Sequence, residues 1–231
     1  MDGNHLSERL KRVAESVPEG ARLADIGSDH AYLPVYLAKK GLISYAVAGE
    51  VVKGPYENAK TEIEGEQLET TIHPRLADGL AAVEPSDQID TVAIAGMGGA
   101  LISSILESGK AALKGVTRLI LQPNIGEENV RRWLQQNHYQ IVEEAILFED
   151  GHYYEIIVAD FVTDTPQYNQ SQLLFGPFLK ESKSAVFVDK WTAELNRLRG
   201  VEKQIRQSTT PPEDKLAQVT HKMKLIEEAL A

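Results

Sequence analysis

Short apolar runs alternate with amphipathic stretches along the first part of the chain. The runs Leu23 to Ile26, Tyr45 to Ala48, Thr71 to Leu76, Val92 to Ala95 and Leu119 to Leu121 have strand length, and the segments between them carry helical patterns. This alternation predicts an α/β unit with a parallel sheet. Two further runs, Gln140 to Phe148 and Tyr153 to Phe161, are separated only by Glu149-Asp150-Gly151-His152. That link is too short for a helical crossover and suits a hairpin, so the sheet is expected to end antiparallel. After Phe161 the polar connector Thr163-Asp164-Thr165-Pro166-Gln167 marks a boundary near residue 166, giving domains 1–165 and 166–231, and Gly176-Pro177 is a further interruption. Beyond it Val188, Trp191, Leu195, Leu198 and Ile205 fall at helical spacing. After Ser208-Thr209-Thr210-Pro211-Pro212 a second series, Leu216, Val219, Met223, Ile226 and Leu230, alternates steps of three and four. The two series predict an α-helical coiled-coil pair folded back at the proline turn, with the stripes as its core.

Composition narrows the class. The chain has 231 residues, 42% hydrophobic and 25% charged, which is ordinary for a folded globular protein. No apolar stretch approaches the roughly 20 residues of a membrane span, and Met1 to His5 lack the basic and apolar regions of a signal peptide, so a cytoplasmic location is expected. Zero cysteines exclude disulfides, thiolate ligation and cysteine nucleophiles, and no metal is expected. The net charge of -10 is uneven. From Tyr168 onward there are ten Lys or Arg against eight Asp or Glu, a net of +2, which leaves -12 on residues 1–167. An acidic body argues against indiscriminate nucleic-acid binding, while the mildly basic tail is either a solvated helix surface or a place to grip one.

Candidate chemistry gathers at the strand ends. Asp25-Ile26-Gly27-Ser28-Asp29-His30-Ala31-Tyr32-Leu33-Pro34 follows a buried strand and opens a helix. Gly27 permits a tight turn close to a ligand, and Pro34 suits a first helical turn. Alone, such a loop is also an ordinary turn. Glu50, with Val51 after it, ends the second strand 23 residues after Gly27, near the interval of a ribose-binding acid, and Asp78-Gly79 ends the third. Each acid alone is also a turn or cap residue, but together they fit one crevice. The loop lacks the second glycine of the dinucleotide fingerprint. Asp25 and Asp29 would repel phosphates and suit the sulfonium and amine of S-adenosyl-L-methionine.

Ala95-Gly96-Met97-Gly98-Gly99 ends the fourth strand, leaving room for a planar substrate or serving close helix packing. Gln122-Pro123-Asn124 ends the fifth and offers amide groups to a base edge, or caps a turn. His30 is more naturally a cap or wall residue than a base, and no hydrolase triad is present. A mixed sheet with this loop set is a Rossmann-like class I methyltransferase arrangement. A nicotinamide oxidoreductase would want phosphate-binding glycines and a hydride partner. A non-catalytic RNA-binding sensor of the cofactor stays open, because cofactor residues do not prove turnover.

The set Asp25 to Pro34, Ala48-Gly49-Glu50, Ile94 to Gly99 and Leu121-Gln122-Pro123-Asn124, extended by Gly176 to Leu179 and Lys190-Trp191, resembles the bacterial tRNA (adenine-22 N1)-methyltransferase family, TrmK. The resemblance covers nearly the whole chain and implies a domain binding S-adenosylmethionine and a helical domain, acting on the tRNA D-arm. Methylation at N1 then suggests roles. Asp29 balances developing charge or accepts a proton, Asn124 orients the base, and Tyr32 or Met97 replaces its stacking. Lys180, Lys183, Lys190, Arg197, Arg199, Lys203 and Arg206, read as lying on the first long tail helix, are candidates for holding tRNA.

Overall fold

The computed structural model describes residues 5–208 and 212–231. Residues 1–4, and the 209–211 part of the expected proline turn, lie outside the described residues. The chain divides into two units, residues 1–167 and 168–231.

The first unit runs α1 (Glu8–Glu15), β1 (Ala21–Ile26), α2 (Tyr32–Lys39), β2 (Ile43–Glu50), α3 (Lys53–Gly65), β3 (Ile72–Leu76), β4 (Thr91–Gly98), α4 (Gly99–Ser108), β5 (Arg118–Ile125), α5 (Glu127–Gln136), β6 (Tyr139–Glu149) and β7 (His152–Phe161). All seven strands join one sheet of order β3-β2-β1-β4-β5-β7-β6. The first five are parallel, and β7 lies antiparallel between β5 and β6. This is the expected mixed sheet. Its central strands read as continuous apolar runs because both faces are covered: Leu23, Ala24, Val92, Ala93, Leu119 and Ile120 are fully buried.

The strand order reverses beside β1, whose neighbours are β2 and β4. In an open α/β sheet the crevice outside the carboxyl ends of the strands at such a switch point is where ligands bind. Helix α1 is an addition to the elements expected from the sequence. Its Ser7 cap accepts from the Leu10 N–H at 3.2 Å, and Val13 and Ala14 are buried. Behind the sheet, fully buried Arg131 on α5 pairs with Glu144 of β6 at 2.7 Å and Glu155 of β7 at 2.5 Å, fixing the helix to the hairpin.

The second unit is helical: α6 (Gln170–Phe175), α7 (Pro177–Ser182), α8 (Ala185–Gln207) and α9 (Glu213–Leu230). Gly176, at φ +83, separates α6 from α7, and Pro177 opens the latter. Phe175, Phe187 and Trp191 form an aromatic cluster, with the Phe175 and Trp191 rings 4.6 Å apart edge-on. Helices α8 and α9 pack on each other, burying Leu195, Leu198, Ile205 and Ile226, whereas Val188 is half exposed. Ion pairs from Lys222 to Glu194 and from Arg199 to Glu227 join them. No described helix is long and apolar enough to cross a membrane.

Candidate cofactor and substrate site

At the switch point the chain forms a cavity of about 620 Å³, within the range that small ligands occupy. Its floor is the β1–α2 loop. Gly27 takes φ +76, a conformation that favours glycine, and the Met97 methyl group lies where a side chain would begin, so any larger residue there would also have to displace Met97. Asp29 and Ala31 also adopt left-handed backbone, at φ +51 and +56, folding the loop back over the strand ends.

Two buried carboxylates face this loop from adjacent strands. Asp25 accepts from the Ser28 hydroxyl at 2.5 Å, and Glu50 accepts from the Asp29 backbone N–H at 2.5 Å. Burial pushes the Asp25 carboxyl up to about 7, opposed by the Ser28 hydrogen bond and reinforced by the charge of Glu50. Asp25 therefore stands ready to ionise when a cation approaches. The Asp29 side chain is largely exposed, with a carboxylate oxygen 3.9 Å from His30 Nε2, and the His30 ring stacks on Tyr32 at 5.0 Å.

Ala95, Gly96 and Met97 close the cavity from β4. Arg9 and Leu10, on α1, also line it and are positions that the sequence motifs do not include. Arg9 donates to Gln122 Oε1 at 2.5 Å, and its guanidinium lies 5.4 Å from the centre of the Tyr154 ring. Gln122 is wholly buried; its Oε1 also accepts the Gly96 N–H at 2.9 Å, and its Nε2 donates to Asn124 Oδ1 at 3.1 Å. The signal that could have found α1 is the helical spacing of Leu6, Leu10, Val13 and Val17 around Ser7.

Several expected residues lie outside this lining. Val51 is 61% exposed, beyond the strand end in the turn before α3. Asp78 is exposed, and Gly79 abuts Ile105, because β3 lies at the sheet edge, two strands from β1. Pro123 is buried inside β5, which extends to Ile125, and Gly98 lies opposite Ile125. Asn124 is exposed and already committed: its Nδ2 donates to the Gly96 carbonyl at 2.8 Å and its Oδ1 receives Gln122. It holds the β4 loop in place.

In the tail, Lys180 belongs to α7 and Lys183 is that helix's C-cap, so neither is on the long helix expected to carry them. On α8, Arg197 pairs with Glu194, Arg206 with Glu202 and Arg199 with Glu227. Lys190 lies over the Trp191 ring at 5.3 Å, and Lys203 is exposed. Each of these arginines thus shares its charge with an acid, Arg199 with one on α9.

The cavity suits a ligand that is cationic at one end and carries hydroxyls elsewhere: buried acids can take both, and no phosphate cradle is present in the loop. A family model described as tRNA (adenine(22)-N(1))-methyltransferase, TrmK, matches residues 23–228. The chain belongs to this family. Among TrmK relatives, the Bacillus subtilis tRNA (adenine(22)-N(1))-methyltransferase is 44% identical, over 97% of this chain and 97% of its own. A Streptococcus pneumoniae structure, of a candidate tRNA (m1A22) methyltransferase in complex with S-adenosyl-L-methionine, is 44% identical and superimposes with a TM-score of 0.90, covering 98% of this chain and 100% of its own. Mycoplasma capricolum TrmK, in complex with the cofactor product S-adenosyl-homocysteine, is 28% identical with a TM-score of 0.87 and 97% coverage of both chains.

Proposed function

We propose that this chain transfers a methyl group from S-adenosyl-L-methionine to N1 of adenine 22 in the D-arm of tRNA. The observation that carries the reading is the acidic switch-point cavity in a TrmK-family chain, with Asp25 raised to about 7 beside Glu50. The cofactor, when bound, supplies a methyl group activated by its sulfonium. Glu50 would accept from the ribose hydroxyls of the cofactor, and Asp25 would balance the positive charge of its ammonium or sulfonium group. Gly27, Ser28, His30, Ala95 and Gly96 complete the cofactor walls.

Adenine N1 carries its lone pair in the neutral ring, so the protein need not create the nucleophile. Its task is to align the base, keep water out and balance the positive charge that appears on it. Asp29, exposed at the cavity mouth, is placed for that balance, and Tyr32 and Met97 offer faces for a base drawn out of its stack. Asn124 acts as a positioning residue through the Gly96 carbonyl. Residues 1–165 then form the catalytic domain, and 166–231 contribute Lys183, Lys190, Arg197, Arg199, Lys203 and Arg206 to holding the tRNA.

Incubation with methyl-labelled cofactor and unmodified tRNA, followed by nucleoside analysis, tests the reading. Label is expected in 1-methyladenosine and is lost when adenine 22 is replaced. Cofactor binding without transfer, or transfer to another position, overturns it.

A further inference from the structure

Among the described residues of the first unit, eight large hydrophobic side chains are exposed, and six of them stand at one end of the sheet. Val51 and Val52 follow β2, Leu76 ends β3, Leu101 lies in the first turn of α4, Ile125 ends β5 and Phe148 lies near the end of β6. All are at the end of the sheet where the parallel strands have their carboxyl ends, the end that also holds the cavity with Asp25, Asp29 and Glu50 in its lining, and none of the six is part of that lining. A ligand recognised by carboxylates does not need this apolar rim. Exposed apolar groups concentrated on one face mark an interaction surface.

Two of the six are held by stiff backbone. Ile125, 73% exposed, sits opposite Gly98 in the sheet register, and the adjoining Gly126 carbonyl packs so closely on Gly99 that no side chain fits there. Phe148, 55% exposed, leans on Tyr153 across the β6–β7 hairpin with ring centres 4.8 Å apart. The next residue, Glu149, accepts the backbone N–H groups of Glu8 and Arg9 at 2.7 and 3.2 Å. Arg9 lines the cavity and covers Tyr154, so the hairpin tip is fastened to the cavity wall.

Charge decides what this rim can hold. Residues 1–167 carry a net charge of -12, which repels a phosphate backbone. The uncharged faces of unstacked bases are the part of an RNA that such a surface attracts. We propose that the apolar rim receives unpaired bases of the tRNA next to the target adenine, with Ile125 inserted as a wedge and the Phe148–Tyr153 pair as a stacking platform. The inference rests on the reading of the chain as a tRNA methyltransferase.

The test compares Ile125→Ala, Phe148→Ala and Phe148→Trp with Phe161→Ala. Phe161 is an equally exposed aromatic at the other end of β7. Unmodified tRNA transcript is the probe, and tRNA affinity, single-turnover rate, cofactor affinity and thermal midpoint are read for each protein. Both rim-to-alanine variants should bind tRNA about tenfold more weakly, the effect of taking away the support of one stacked base. Cofactor affinity and the salt slope of tRNA binding should stay at wild-type values, because no phosphate partner is removed. Phe148→Trp should bind as wild type, and Phe161→Ala should be silent. Wild-type tRNA affinity in both alanine variants, an equal loss in Phe161→Ala or a shallower salt slope overturns the proposal. Loss of self-association with unchanged tRNA binding assigns the rim to a second copy and also overturns it. If the wild-type protein transfers no methyl group to tRNA, the functional reading fails; if it does and the rim variants are silent, only the rim assignment fails.

Discussion

Asp25→Asn should make the cofactor-free protein more stable, increasingly so as the pH rises to neutrality. The carboxyl titrates ordinarily at 3.8 and is pushed up to about 7 in the folded chain by burial, against the Ser28 hydrogen bond and with the help of Glu50. Between those values the folded state keeps a proton that the unfolded chain releases, so stability falls as pH rises through this window and levels off above it. At about 1.4 kcal/mol per pH unit, reduced near pH 7 where the folded group is itself half ionised, the ionisable side chain costs the fold about 2 kcal/mol more at pH 7 than at pH 5, and about 4 kcal/mol in all. Asparagine cannot ionise, fills the same space and still accepts from the Ser28 hydroxyl. Urea unfolding of both proteins at pH 5, 6, 7 and 8, at fixed ionic strength and without cofactor, isolates the difference. It should widen by roughly 2 kcal/mol from pH 5 to pH 7, by a few tenths more to pH 8, and then stay constant. A difference that is the same at every pH refutes the reasoning. The corollary concerns binding: a cation held against Asp25 draws off its proton, so cofactor affinity in the wild type should rise from pH 6 to pH 8, and Asp25→Asn should lose that dependence.

Asp29→Ala should lower the single-turnover methylation rate by about tenfold or more while cofactor affinity changes little, because it is the Asp29 backbone N–H and not its side chain that donates to Glu50. Equal rates with saturating tRNA would remove Asp29 from the chemistry. Replacing Lys190, Arg197, Lys203 and Arg206 together by Gln should weaken tRNA binding and flatten its salt slope by roughly 0.7 to 0.9 for each phosphate no longer neutralised, which a titration across salt concentrations measures. Unchanged slope would show that α8 does not touch phosphates. Arg131→Met should destabilise the protein by about 3–5 kcal/mol, since Glu144 and Glu155 would be left buried without their cation. Chemical denaturation reads the loss, and a change below about 1 kcal/mol would show that the acids find other partners or take up protons cheaply.

The sheet is legible in the sequence because its central strands are covered on both faces, so runs such as Leu119 to Leu121 have to be apolar throughout. The hairpin is legible from the short Glu149 to His152 link, of which only Asp150 and Gly151 lie between the strands, Glu149 and His152 being paired in the sheet. The β1–α2 loop, Glu50 and the Ala95-Gly96-Met97 end of β4 converge on one cavity because parallel strands carry their carboxyl ends to the same side. Lateral position leaves no such local trace. Asp78 ends its strand region as Glu50 does, yet β3 is at the edge of the sheet and its acid faces solvent. Arg9 and Gln122 are 113 positions apart, and their hydrogen bond depends on the packing of α1. Asn124 looks free, in sequence, to read a base, but both ends of its amide are engaged by neighbouring groups.

The placement of α1 has a consequence for the order in which the protein matures. The cavity acids Asp25 and Glu50 leave the ribosome early, yet the side wall of their cavity is an N-terminal helix whose Arg9 is oriented by Gln122 and Tyr154 and whose first N–H groups are capped by Glu149. A nascent chain that has reached only β4 therefore owns both carboxylates and the glycine loop without the groups that seat Arg9. The wall that Arg9 forms is therefore complete only once the β6–β7 hairpin has been made, so the first helix in the sequence is seated by the last strands of its unit.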